Sequence, residues 1–263
     1  GAIEFIDFNP KDFSKIKEAI KNSDIVINLV GILFENRKQK FINTHSDLPS
    51  LIAKYCSESE VKKFIHVSAI GANADSNSLY QQSKFSGEQK ALENFKNTVI
   101  IRPSVVCGNE DNFTNLFAKL SLFPVIPVVR PNYKFQPILV DDVATAIVKA
   151  IEIKKNERKI YEIGGPTIIS FKDMVKSIVS TIGKKKFIVE MPMPLAKVQA
   201  TLFSLMPKPL LTKDQCIILS EVDNIVSNNH LTLKDLNIKP IDVQKAMPKW
   251  LWRFRTGGEF AKI

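Results

Sequence analysis

The chain holds 263 residues, 44% of them hydrophobic and 24% charged, the balance of a globular protein and not of a disordered one. Its longest apolar run, residues 25–34, falls well short of the roughly 20 residues that cross a bilayer. Cys56, Cys107 and Cys216 lie far apart with no CxxC pair, which argues against a disulfide framework or a zinc site and for a reducing compartment.

The net charge is +10, from 37 Lys and Arg against 27 acids, and only six of the 37 are Arg. Base-reading sites favour Arg, and no nucleic-acid-binding motif occurs, so no nucleic-acid partner is expected. Two readings of the excess stay open: a solvated Lys-rich surface, or attraction to an acidic partner or an anionic lipid surface.

Strand-like and helix-like patterns then alternate. Ile3-Glu4-Phe5-Ile6 reads as a short strand, and Phe13, Ile16, Ala19 and Ile20 share a helical face. Ile25 to Val30 is a near-continuous apolar run of the kind found in a parallel sheet covered on both faces. Leu48, Leu51, Ile52 and Tyr55 predict a helix, Phe64–Ser68 a strand, Tyr80–Phe95 a helix, and Thr98–Ile101 a strand stopped at Arg102-Pro103. This β-α-β-α order predicts an α/β fold, a doubly wound parallel sheet with right-handed crossovers.

Beyond Pro103 the rhythm loosens. Phe113, Leu116, Phe117 and Leu120 predict a helix, followed by a stretch punctuated by Pro124, Pro127, Pro131 and Pro137. Asp141–Glu152 reads as a helix and Lys159–Ile163 as a strand. Ser170 and Asp173 open a helix that Gly183 stops. Residues 1–159 are expected to form the sheet domain, and 160–263 a smaller, mostly helical domain over its carboxyl edge, where ligands of such sheets sit.

Tyr80-Gln81-Gln82-Ser83-Lys84 sets a phenol and an ammonium four residues apart, on one helical face. A nearby ammonium favours phenolate, so the pair predicts a Tyr of lowered pKa, usable as an acid or base in hydride chemistry. Ser68 ends the preceding strand at the same edge of the sheet. His66, on an apolar strand, reads as a satisfied core histidine, and Arg102 as a donor that fixes a loop.

Several segments in order resemble the short-chain dehydrogenase/reductase superfamily, in its extended and atypical branches. They are Ile6-Asp7-Phe8, Val26-Ile27-Asn28-Leu29-Val30-Gly31, Phe64-Ile65-His66-Val67-Ser68, Tyr80…Lys84, Ile101–Gly108, Phe135–Val143 and Tyr161–Gly165. The wording is most similar to the nucleotide-binding accessory subunit of respiratory complex I and its bacterial homologues. Leu211–Gln215 and Trp252–Arg255 fit it too.

The resemblance implies a Rossmann-like domain and an NAD or NADP cofactor. It implies that Asp7 and Phe8 face the adenine and that Asn28, Leu29, Val30 and Gly31 line the adenine-ribose side. Lys84 would hold the nicotinamide ribose, and Pro103, Ser104 and Val105 the nicotinamide. Ser68, Tyr80 and Lys84 would form the catalytic set, although Ala69 falls where many extended enzymes have a second Ser. Asp7 also reads as a turn residue, and Val30 as core.

The family's glycine-rich pyrophosphate turn has no counterpart in these 263 residues. The resemblance therefore implies an N-terminally truncated Rossmann-like domain, starting near the third strand, whose cofactor needs the absent segment.

Three functions remain open: a cofactor-holding subunit attached to complex I or a related quinone-linked protein, an active NAD(P)-dependent reductase, epimerase or isomerase, and a cofactor-free scaffold. Leu195, Val198, Leu202, Leu205 and Met206 share a helical side. Trp250, Leu251, Trp252 and Phe254 lie among Lys249, Arg253 and Arg255. Apolar side chains beside cations suit a headgroup boundary or a partner groove, or else close the smaller domain's core. The resemblance implies complex I subunits or the inner-membrane surface as partners. It implies a peripheral position on the cytoplasmic face of a bacterial inner membrane or on the mitochondrial matrix side.

Overall fold

The computed structural model describes residues 3–6, 14–153, 158–204 and 206–258. In chain order the first half holds α1 (Ser14–Lys21), β1 (Ile25–Asn28), a π-helical stretch (Ile42–Asp47), α2 (Leu48–Ser57), β2 (Lys63–Val67), α3 (Leu79–Asn94) and β3 (Thr98–Pro103). Then follow β4 (Val106–Cys107), α4 (Asn112–Leu120), β5 (Val125–Val129), β6 (Lys134–Phe135), β7 (Ile138–Leu139), α5 (Val140–Glu152) and β8 (Lys159–Ile163). The remainder holds β9 (Ile169–Ser170), α6 (Phe171–Thr181), β10 (Phe187–Met191), α7 (Met193–Phe203), α8 (Lys213–Ser220) and short helical turns up to Phe254.

The main sheet is parallel, in the order β1-β2-β3-β8. Successive side chains on a strand point to opposite faces, and β2 shows the result. Phe64 joins Leu48, Ile52, Ala53 and Ala91 under α2 and α3, while Ile65 joins Val143, Ala146, Ile147 and Ala150 under α5. Helices therefore cover both faces, as the apolar runs predict. Lys63, buried at the start of β2, donates to the carbonyls of Ala150, Ile151 and Ile153. A cation thus meets the carbonyl end of α5, where the helix dipole favours it.

The strand expected at Ile3–Ile6 does not form. Ile3 and Phe5 are 81% and 93% exposed, and a lone strand with no edge to pair with has nothing to hold it extended. The outer edge of β1 likewise pairs with no strand among the described residues. The expected boundary after residue 159 falls inside β8, which pairs with β3 from Val99↔Lys159 to Pro103↔Ile163, so that strand lies with the sheet.

A second core gathers Phe117, Phe135, Phe171, Met174, Ile178, Met247, Trp250 and Leu251. The Pro-punctuated stretch contributes β5, which pairs in parallel with β10. Trp250 is buried and donates its indole N–H to Thr114 Oγ1 at 3.1 Å, so Trp250 and Leu251 close a core, whereas Trp252 stays exposed. Leu195, Val198 and Leu202 on α7 are instead 57%, 59% and 63% exposed. Among the described residues no helix is long and apolar enough to cross a membrane, and no cluster of His, Cys, Asp or Glu suits a metal ion.

Candidate functional site

The site lies at the carboxyl edge of the sheet, where α3 begins. Ser78 caps α3 by accepting from the backbone N–H of Gln81. Asp214, in the first turn of α8, accepts from the Ser78 hydroxyl and from the backbone N–H groups of Leu79 and Tyr80. Glu221 grips the preceding residues through the Ser76 hydroxyl and the Asn77 N–H. Two carboxylates from the α8 segment thus satisfy donors that a helix start leaves open.

His45, on the π-helical stretch, fastens α3 from the other side. The Ile32 N–H donates to its Nε2 at 3.0 Å, so the proton sits on Nδ1 and goes to Ser83 Oγ at 3.1 Å. Ser83 donates in turn to the Tyr80 carbonyl at 2.8 Å. Burial holds His45 neutral, its pKa pushed down to about 3, with the Lys84 ammonium adding to the effect. Gly87 lets the two elements meet, because a Cβ there would lie 1.8 Å from the His45 carbonyl oxygen.

Lys84 is 4% exposed, and its Nζ makes one long hydrogen bond of 3.4 Å, to the Val67 carbonyl. Burial lowers its pKa to about 8, against the raising influence of Glu88. Gly31 lies directly beside it, where a Cβ would come within 3.3 Å of Nζ. Ser68 Oγ is buried without a hydrogen-bond partner among the described residues. An under-partnered ammonium beside a glycine and an orphaned hydroxyl thus face one space, and both are groups that can bind hydroxyls or carbonyls of a ligand.

Tyr80 departs from expectation. Lys84 Nζ stands 5.9 Å from its ring centre, too far to dominate. Burial, with Asp214 adding to it, pushes the phenol up to about 12. The ring packs edge-on against His45 and Phe41. At neutral pH it is a phenol and not a phenolate.

A cavity of about 1000 Å³ brings together Leu29, Gly31, Ser68, Tyr80, Lys84, Pro103, Ser104 and Val105. Ser104 is already engaged, donating to Asn224 Oδ1 at 2.6 Å. Asn28 and Val30 do not line the cavity. Asn28 is 2% exposed, donating to His66 Nδ1 and accepting from the Val30 N–H. His66 is buried as expected, but its Nε2 has no partner among the described residues. Asp7 and Phe8 lie outside the described residues.

Arg102 does more than fix a loop. It donates twice to Glu88, from Nε at 2.9 Å and from an Nη at 2.6 Å, and once to Glu162 at 3.2 Å, all three side chains being buried. Sequence reasoning missed His45, Asp214 and Glu221, because their partners are distant in the chain. The Thr212–Gln215 capping box was the available sign that Asp214 opens a helix.

The model for the RmlD substrate binding domain matches residues 71–213. The mouse (Mus musculus) NADH dehydrogenase [ubiquinone] 1 alpha subcomplex subunit 9 is 30% identical over 97% of this chain and 68% of its own. The Dictyostelium discoideum subunit 9 is also 30% identical, over 100% of this chain and 74% of its own. A dTDP-4-dehydrorhamnose reductase from Bacillus anthracis, solved with NADP, superposes with a TM-score of 0.68 at 15% identity, over 92% of this chain and 85% of that one. That likeness is one of fold.

Proposed function

The chain belongs to the RmlD substrate binding domain family, within the extended short-chain dehydrogenase/reductases and alongside the subunit 9 proteins, and from that premise we propose a cofactor-holding accessory subunit of a complex I-type NADH:ubiquinone oxidoreductase. The carrying observation is Lys84, a buried ammonium with a single 3.4 Å hydrogen bond among the described residues, beside Gly31 and in one cavity with the Ser68 hydroxyl, which has no partner among them. In this reading Lys84 and Ser68 hold the nicotinamide ribose of NAD or NADP, and Pro103 and Val105 wall the ring. Bound there, the cofactor offers a hydride carrier, while the chain's own residues bind it and shield it from water.

No glycine-rich pyrophosphate turn occurs in these residues, so that part of the grip would have to come from elsewhere in the whole protein. A phenol near pKa 12 is poorly prepared to act as a base, which favours a held cofactor over turnover. The reductase or epimerase reading keeps one supporting observation, that Ser68, Tyr80 and Lys84 meet in one cavity.

The partner reading is subunits of complex I, with the protein peripheral on the matrix or cytoplasmic side. The exposed Leu195, Val198 and Leu202 on α7, with Lys197 and Lys213 around Val198, support contact with the membrane surface. Mild-detergent purification of the whole protein from its native membranes tests the assignment. Respiratory subunits and bound nicotinamide nucleotide are expected together. A soluble protein that brings down no respiratory subunit and turns over a substrate would transfer the assignment to the enzyme reading.

A further inference from the structure

The walls of the cavity beyond Lys84 do not suit a nucleoside diphosphate sugar. Such a ligand carries a diphosphate, which proteins meet with Arg forks, Lys or helix N-termini. Among the described residues that line the cavity, Lys84 is the sole Lys or Arg; the N-terminus of α4 also lies there, but the Asp111 carboxylate already caps it, and Glu110 adds a further negative charge.

What lines the cavity instead is apolar. Phe113, Leu116, Phe117 and Leu120 come from α4, Phe203 from α7 and Leu219 from α8. Phe113 and Phe117 interlock with Phe135 and Phe171 at ring separations of 5.2 to 5.7 Å, which gives a firm wall. At about 1000 Å³ the volume is at the upper end for small-molecule sites and leaves space beside a nicotinamide. Helix α7 joins this interior to the surface: Gln199 and Phe203 line the cavity, and Leu195, Val198 and Leu202 face outward.

We propose that this half of the cavity binds one uncharged apolar chain, a prenyl or acyl tail, admitted beside α7. The inference rests on the reading above only in assigning the Lys84 end to the cofactor. An apolar tail matches the walls in chemistry, and its natural source is the membrane surface that the outer face of α7 suits.

Calorimetric titration of the whole protein tests this with three probes: decylubiquinone, a pyrene-labelled fatty acid and UDP-glucose. Micromolar binding of either apolar probe is expected, with none of UDP-glucose, and the tighter of the two tells a quinone tail from a lipid acyl chain. Leu116→Trp, which fills the cavity, should weaken the apolar probe at least tenfold. Phe203→Ala, at the α7 side, serves as a second variant should the first fold poorly. UDP-glucose binding, or no binding of either apolar probe by the unaltered protein, would overturn the proposal. A separate NADPH titration keeps the two readings apart: loss of NADPH binding with the apolar probe retained defeats the cofactor reading and leaves this one standing.

Discussion

Asp214 Oδ1 accepts a 2.8 Å hydrogen bond from the backbone N–H of Leu79, so a residue of α8 caps the helix that carries Tyr80 and Lys84. The two are 135 positions apart in the chain. The α8 segment therefore holds the start of α3 in place.

Asp214→Ala removes the acceptor for the Ser78 hydroxyl and two N–H groups at once. Loss of a helix cap costs about 1–2 kcal/mol, and thermal unfolding should read a loss of that size. Asp214→Asn keeps a side-chain acceptor and should recover part of it.

Lys84→Met should separate stability from function. Among the described residues the buried ammonium makes one long hydrogen bond, and the Glu88 charge only partly offsets its burial, so replacing it with an apolar side chain should stabilise the cofactor-free chain by about 1 kcal/mol or more, while nucleotide binding falls. The folded pKa, near 8, lies below the unfolded value of about 10.4. Between those values the unfolded state binds more protons, so wild-type stability rises with pH across that window. Urea unfolding of both proteins should show the stabilisation in full at pH 7 and nearly gone by about pH 10.5.

At the acid end His45 and His66 act together. Burial pushes both down to about 3, while an unfolded His titrates near 6.5. The unfolded state gains protons first, so stability falls as the pH drops from about 6.5 towards about 3. His45→Gln can still accept from the Ile32 N–H and should make that decline shallower. An unchanged slope in urea titrations would contradict the neutral, buried assignment.

Tyr80→Phe should change NAD(P)H binding less than twofold, since among the described residues no hydrogen bond to the phenol holds Lys84 or Ser68. Equilibrium titration checks this. Abolition of a measurable hydride transfer by the same change would instead assign Tyr80 the acid–base role.

The main sheet was legible because β1, β2, β3 and β8 each carry an apolar pattern, while the short strands β4 to β7, beyond Pro103 where the rhythm loosens, were not. Phe64 and Ile65, adjacent in sequence, sort to opposite cores by the two-residue period alone. Tyr80 and Lys84 were legible as a spacing, but the phenol's pKa was not. It depends on the packing of Phe41 and His45 and on a carboxylate from residue 214, none of which helical periodicity reports. The same holds for Trp250 against Leu195. Both read as apolar residues near cations, and only the tertiary arrangement buries the first and leaves the second in solvent.

Residues 224–231 lie along the sheet as an irregular strap. Asn224 bonds to Ser104, the Val226 N–H to Gln136, and the Ser227 N–H to Glu162, while the Leu231 carbonyl receives the Glu162 N–H and His230 meets Arg102. A chain cut before this strap would leave the Arg102–Glu162 charges open to water and strip partners from β8. The strap thus ties residues on both sides of position 159 together, and amides near Glu162 should exchange with deuterium only through global unfolding.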